Sequence, residues 1–468
     1  MIRTLLIATV FLLLSVGCGK NDSQDENRAD AQKVMQKTKI LIDDAALLGE
    51  DPKFMKAFYE FNRDLLRRYD IDFRVVTTLS EEGIDLQANR LFNRLQQKSR
   101  SHSGKALLLL INPLQDKVRL EVSQALEPIY TDAFVSYLER KGMIPYFRDN
   151  KVANGAFMMM ELIHDRANDA QTGKEFVPPM DSRSIGGGAK SAAKIGEADP
   201  QAKKGAPIDV GSGESPEKVL RKYLQALETH NRNPDLEIYT KATRDFFRKH
   251  TVTTINQDNE VRFLSPCLPK QTTLYGEDGE HAVIAALPYD KQRTCSPYFF
   301  KKEEGKWRLD IATMARMLRF NTQMAFHFDP RERLRGEGIY YAYAFDGYAF
   351  DANGYPYTPR EKMPDDARWG FRCGTWFYPK DRENVKREPK KYYRCGIVKV
   401  WRGSPAEVRL GLRPGDYIYG VGQGAARIDN ATYVQFMNYM KQVPSGARAV
   451  VTVRVNHREE IVRRGIAP

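Results

Sequence analysis

Ala106-Leu107-Leu108-Leu109-Leu110-Ile111-Asn112 is an unbroken apolar run of strand length, followed by Asp116-Lys117-Val118-Arg119-Leu120-Glu121-Val122, where polar and apolar residues alternate. Successive strand side chains point to opposite faces of a sheet, so a strand apolar at every position is expected to be covered on both faces. The alternating run reads as its half-exposed neighbour. Working outward, Asp72 to Thr77 reads as another strand and Ile84 to Gln97 as a helix, while Phe54, Phe58, Phe61 and Leu65 recur at helical spacing. Downstream, helices fit Thr131 to Lys141 and Asn154 to Arg166. The segment is thus expected to be a layered α/β domain.

Ile42-Asp43-Asp44-Ala45, the buried strand followed by Lys117-Val118-Arg119-Leu120-Glu121-Val122, then Leu126-Glu127, Asp132, and Ile144-Pro145-Tyr146-Phe147 with Gly155 occur in an order that resembles the TPM domain family over residues 34–168. The family carries a glycine-rich turn before its glutamate, and this chain has Ser123-Gln124-Ala125 there. The resemblance implies an α/β sandwich and two activities assigned to the family, phosphatase action and calcium binding. Asp43, Asp44, Glu127 and Asp132 are the matched acids that would have to converge on one Ca2+ ion. The other reading of each is a solvated cap or helix start. Asp70-Ile71-Asp72 has the spacing of a phosphotransferase DxD but precedes its strand, where that chemistry wants it at the strand's end, and is read as chance.

Residues 169–214 are rich in glycine, lysine, alanine and proline, including Gly186-Gly187-Gly188, and are expected to be a disordered linker. A second domain, 215–330, opens with Ser215-Pro216-Glu217-Lys218, a cap followed by proline at the first helical position. Helices are expected from there and over Leu236 to Lys249. Strands are expected over Thr272 to Tyr275, Ala282 to Leu287, Cys295 to Lys301 and Trp307 to Met314. Helices first and a curled antiparallel sheet after resembles the SnoaL-like, or nuclear-transport-factor-like, cone fold. Residues 331–366 are aromatic and glycine-rich, with Tyr343-Ala344-Phe345-Asp346 echoed at Tyr348-Ala349-Phe350-Asp351; they read as a packed connector or an aromatic ligand platform.

In the last domain, 367–468, a strand Cys395 to Val400 leads to Gly403-Ser404-Pro405-Ala406-Glu407 and Gly411-Leu412-Arg413-Pro414-Gly415-Asp416. This pattern resembles a PDZ domain of the HtrA type, which implies a partly open β-barrel. It also implies a groove that receives an extended protein C-terminus by strand addition, its carboxylate held by loop amides. Trp369-Gly370-Phe371-Arg372 matches the loop and first groove strand, and Tyr433, Phe436, Met437 and Met440 lie on the matching helix, Ala431 to Gln442. No Gly-x-Ser-x-Gly and no HExxH occurs, so the chain lacks the protease signatures that accompany such domains elsewhere.

The N-terminus sets the compartment. Arg3, an apolar run from Leu5 to Leu14, and Ser15-Val16-Gly17-Cys18 have the layout of a secretory signal and resemble a bacterial lipobox. The run is shorter than the roughly 20 apolar residues that cross a bilayer. The resemblance implies cleavage after residue 17, acylation (palmitate-type chains) of Cys18, and a flexible tether over residues 18–33. Gly19 in place of aspartate leans towards the periplasmic face of the outer membrane. In that compartment the +13 net charge does not point to nucleic acid. Basic residues outnumber acidic ones 25 to 15 from Arg331 on, which makes acidic peptide tails a reasonable ligand. The remaining cysteines, Cys267, Cys295, Cys373 and Cys395, fall as two close pairs that favour Cys267–Cys295 and Cys373–Cys395 disulfides. A hydrophobic share of 42% excludes global disorder. The expected protein is a multidomain α/β plus α+β lipoprotein. It would act as a non-enzymatic scaffold that captures C-terminal tails, with a calcium-dependent phosphatase whose substrates the last domain recruits as the alternative.

Overall fold

The computed structural model describes residues 40–48, 52–177, 190–192, 205–289, 293–320, 325–365, 367–455 and 459–468. The signal, Cys18 and the tether lie outside these residues. The chain folds as a mixed α/β multidomain protein with several separate sheets. Among the described residues no helix is long and apolar enough to cross a membrane.

The first unit is a five-stranded sheet in the order β1 (Leu41–Asp43), β2 (Asp72–Thr77), β3 (Ala106–Asn112), β4 (Lys117–Val122) and β5 (Lys190–Ala192). β1, β2 and β3 are parallel; β4 and β5 continue antiparallel. Every residue of β3 is buried, and its side chains divide between two cores. Leu107, Leu109 and Ile111 pack with the helices Pro52–Tyr69 and Val152–Gln171, whereas Ala106, Leu108 and Leu110 pack with the helix Ile84–Gln97. The apolar run is therefore a central strand with both faces covered.

Asp70 and Asp72 are structural. Asp72, with 0% exposure, accepts hydrogen bonds from Arg74 Nη2 (2.8 Å), Arg100 Nε (2.8 Å) and the Arg100 backbone N–H (2.9 Å). Burial alone would raise the Asp72 pKa, but these donors hold it below the usual carboxylate range. Asp70 accepts from the N–H groups of His102 and Ser103 and from two serine hydroxyls, which set the turn entering β3.

The linker expected over 169–214 is narrower than its composition suggested. The preceding helix runs to Gln171, Lys190–Ala192 extends the sheet, and Val210 is buried in the second core. An edge strand is held by backbone bonds and requires no apolar pattern, which is why Lys190-Ser191-Ala192 carried no signal.

The second unit has an antiparallel sheet, β6 (Gln271–Tyr275), β7 (His281–Ala286), β8 (Tyr298–Glu303) and β9 (Lys306–Leu309), packed against helices Pro216–Glu228, Lys241–Lys249 and Thr254–Leu264. Three boundaries differ from expectation, each for a capping reason. Thr240 caps the second helix through Thr243 N–H, so helix starts at Lys241. Thr253 and Asn256 form a capping box for a helix that had not been expected, and Asp310 caps the helix Ile311–Met317 where a strand had been expected to continue. Two short ladders follow, β10 (Leu318–Phe320) with β11 (Phe326–Phe328), and β12 (Ala349–Phe350) with β13 (Pro356–Tyr357). The aromatic connector is core: Tyr341 and Phe345 are 0% exposed, and Tyr341 donates to Asp310 at 2.8 Å. These buried rings offer no ligand platform.

The C-terminal unit is an open sheet in the order β14 (Phe371–Trp376), β15 (Arg394–Val400), β16 (Tyr417–Val421), β18 (Arg448–Val455) and β19 (Glu459–Ile466), with β17 (Ile428–Asp429) on β16. Both expected disulfides form. Cys373–Cys395 joins β14 to β15 across the helical insertion, and Cys267–Cys295 joins the loops entering β6 and β8. The unit is docked on the second one by Arg409, 3% exposed, whose guanidinium pairs with Asp346 (2.5 Å) and with Glu277 at the tip between β6 and β7 (3.0 Å). Gly446, at φ +78°, lies so close to Glu277 O that a Cβ would sit 2.9 Å from it.

Candidate functional site

β14 is an edge strand: it pairs with β15 on one side and with no strand on the other among the described residues. The helix Tyr433–Gln442, which a capping box of Thr432 and Gln435 starts, packs on this sheet and reaches β14 through two side-chain contacts. Phe371 at the start of β14 packs on Phe436 with ring centroids 5.5 Å apart, and Cys373 Sγ lies 3.9 Å from Met437 Sδ. Phe371, Tyr433 and Met437 are half-buried and Arg372 is exposed, so these four side chains are available to a ligand.

The other matched side chains are buried. Phe436 and Met440 are 0% and 2% exposed and belong to the core. Trp369 does not narrow the groove as a surface side chain would: it is buried, and its Nε1–H donates to Met440 O at 2.9 Å, tying the loop to the end of the helix. Gly370 has φ +71°, and a Cβ there would lie 2.4 Å from both Met363 Sδ and Ser404 Cβ, so only glycine fits. Sequence reasoning missed Arg368. Its guanidinium donates to the backbone oxygens of Lys441, Val443 and Pro468 and fixes the loop to the helix C-terminus, where a cation is favoured.

The four acids of the first unit do not come together. Asp43, at the carboxyl end of β1, binds its own turn: it accepts from Leu47 N–H (3.0 Å), Leu48 N–H (2.8 Å) and Thr77 Oγ1 (2.6 Å). Asp44 beside it is exposed. Glu127 and Asp132 follow β4 where it leaves the sheet at the amino end of β3, since Ser123 N–H bonds to Ala106 O. Asp43 is level with Ile111 across β2, five residues further along β3, so the strand separates the two ends by about 15 Å. Among the described residues no group of three or more His, Cys, Asp or Glu side chains is placed to hold a metal ion. The strands β1 to β4 of this unit lie within the residues that one family model matches. Residues 41–166 match the family model of the TPM domain. This TPM domain takes up a little over a quarter of the chain. A search of the curated proteins finds no match. Among solved structures, the chain is similar to the solution NMR structure of the N-terminal domain of a protein from P. gingivalis, at 22% identity over 32% of this chain and 94% of that chain, with a TM-score of 0.25.

Sequence reasoning also missed an enclosed carboxyl group in the second unit. Glu260, on the helix Thr254–Leu264, accepts a hydrogen bond from Tyr298 at 3.1 Å and another from Tyr223. Burial outweighs both and pushes its pKa up to about 7. No local signal marks it, because its partners come from other elements.

Proposed function

We propose that this chain is a protein-binding lipoprotein whose C-terminal unit, read as a PDZ domain, captures extended C-terminal tails by strand addition to β14. The observation that carries the reading is the free edge of β14 beside the helix Tyr433–Gln442, entered through a turn that requires Gly370. An added peptide would bond to the edge through its main chain, and its terminal side chain would rest on Phe371 and Met437. Arg372 adds positive charge beside the groove, which favours acidic tails. The two disulfides support an oxidising compartment, in keeping with anchoring through Cys18. The phosphatase alternative gains nothing from the geometry of Asp43, Asp44, Glu127 and Asp132, and the scaffold reading is preferred.

The test is a peptide array probed with the full chain, each sequence present with a free and an amidated C-terminus. A preference for free termini is expected, together with a loss of about tenfold or more in affinity for Phe371→Asp, which sets a carboxylate at the mouth of the groove. Equal binding of free and amidated peptides would remove the assignment.

A further inference from the structure

The second unit holds a half-open cavity of about 50 Å3 lined by the helices Pro216–Glu228, Lys241–Lys249 and Thr254–Leu264, and several of its lining residues are polar. Two amides are fixed in orientation by other bonds. Asn256 Oδ1 accepts from Thr253 N–H in the capping box, which leaves its Nδ2 as the unbonded end of the amide, and Gln257 Nε2 donates to Asn231 O at 2.8 Å, which leaves its Oε1 as the unbonded end. Asn256 Nδ2 and Gln257 Oε1 are buried without a hydrogen-bond partner, and so is Arg232 Nε on the loop that closes the cavity. Gln257 is 3% exposed. An unmatched buried polar atom costs about 1–3 kcal/mol, so three around one cavity point to a partner that satisfies them. The Glu260 carboxyl stands one helical turn beyond Asn256, and Tyr239, Phe246 and Phe247 supply the apolar wall.

The arrangement sorts by chemistry. Arg232 and Asn256 offer donors, one of them cationic; Gln257 and Glu260 offer acceptors, one of them anionic. A lone anion would leave the acceptors unmatched, and a lone amine would leave the donors unmatched. We propose that this cavity binds a small zwitterion of the free amino-acid type, its carboxylate on Arg232 and Asn256, its ammonium on Gln257 and Glu260, and its side chain against Phe246 and Phe247. The room inside is that of about four water molecules, which suits a molecule the size of glycine, alanine or valine whose outer atoms reach the rim at Asn233. The site is separate from the groove on β14, and its failure would leave the peptide-binding reading untouched.

Ammonium binding needs Glu260 ionised. The other titratable groups around Glu260 are Tyr223, Tyr239 and Tyr298, all held above their ordinary values by burial, so none of them changes charge near neutrality. The test is thermal melting and ligand-observed NMR of the full chain in an amine-free buffer, with glycine, alanine and valine, and with their N-acetyl and amide derivatives. Melting should rise with the free zwitterions and not with either blocked form, and affinity should fall about tenfold per pH unit below 7. Arg232→Met, at the partly exposed loop, should abolish the response in a protein that still melts cooperatively, and Glu260→Gln should remove its pH dependence. No response to any zwitterion, equal response to the blocked forms, or full affinity in Arg232→Met would overturn the site.

Discussion

Two carboxylates, the fully buried Asp72 in the TPM domain and the half-buried Glu260 in the second unit, have opposite fates. Asp72 meets two guanidinium groups and a backbone N–H, and its charge is held although the residue is fully buried. Glu260 meets only phenols, and burial drives it towards the neutral form. The difference teaches that burial by itself does not assign a role. A carboxylate saturated by cations is a staple, whereas one partnered by neutral donors beside unmatched polar atoms stays responsive.

The sharpest way to break the comparison is to take a cation from the first site. Arg100→Ala leaves Asp72 buried with Arg74 alone and should destabilise the TPM domain by about 3 kcal/mol, read as the drop in its urea midpoint. A change below about 1 kcal/mol would mean that Arg74 and water suffice.

Next in size is the pH dependence. Glu260 binds its proton more tightly when folded, so the stability it contributes is full below its unfolded pKa near 4.5 and is lost as pH rises to about 7. That loss, at most about 3 kcal/mol, should vanish in Glu260→Gln. Asp72 runs the other way: its folded pKa is lowered, so its contribution is present above about pH 4 and fades below it. Urea melts at pH 3, 4.5, 6 and 8 separate the two; a parallel shift of both units would erase the distinction. The smallest effect is that of Tyr298→Phe, which removes one donor to Glu260. It should cost about 1 kcal/mol and move the Glu260 titration further up, seen by carboxyl NMR. A downward move would contradict the role given to the phenol.

What the sequence disclosed divides along the same line. Six apolar residues in a row from Ala106 have one economical reading, and β3 is where that reading places it. Gly370 and the Ser404-Pro405-Ala406 cap were legible because backbone sterics act within a few residues, and Ser404 does accept from Glu407 N–H. The helix Thr254–Leu264 was not legible, since Ile255 is the one apolar residue in Thr-Ile-Asn-Gln-Asp-Asn-Glu and its start is set by the side chains of Thr253 and Asn256. Glu260 was hidden for a different reason: Tyr298 lies 38 positions away, and only the fold brings the two together. The acids of the TPM resemblance, near one another in family order, are divided by the length of a strand that no list of motifs reveals.

Arg409 binds two carboxylates on separate parts of the chain, and Gly446 lets the same hairpin tip press in at backbone distance. That contact ties the C-terminal unit to the hairpin of β6 and β7. A tail seated on β14 and tugged by its owner would pull on the hairpin of β6 and β7 directly. On the proposed reading the C-terminal unit would be a fixed bracket, passing tension into the body of the molecule instead of swinging to relieve it.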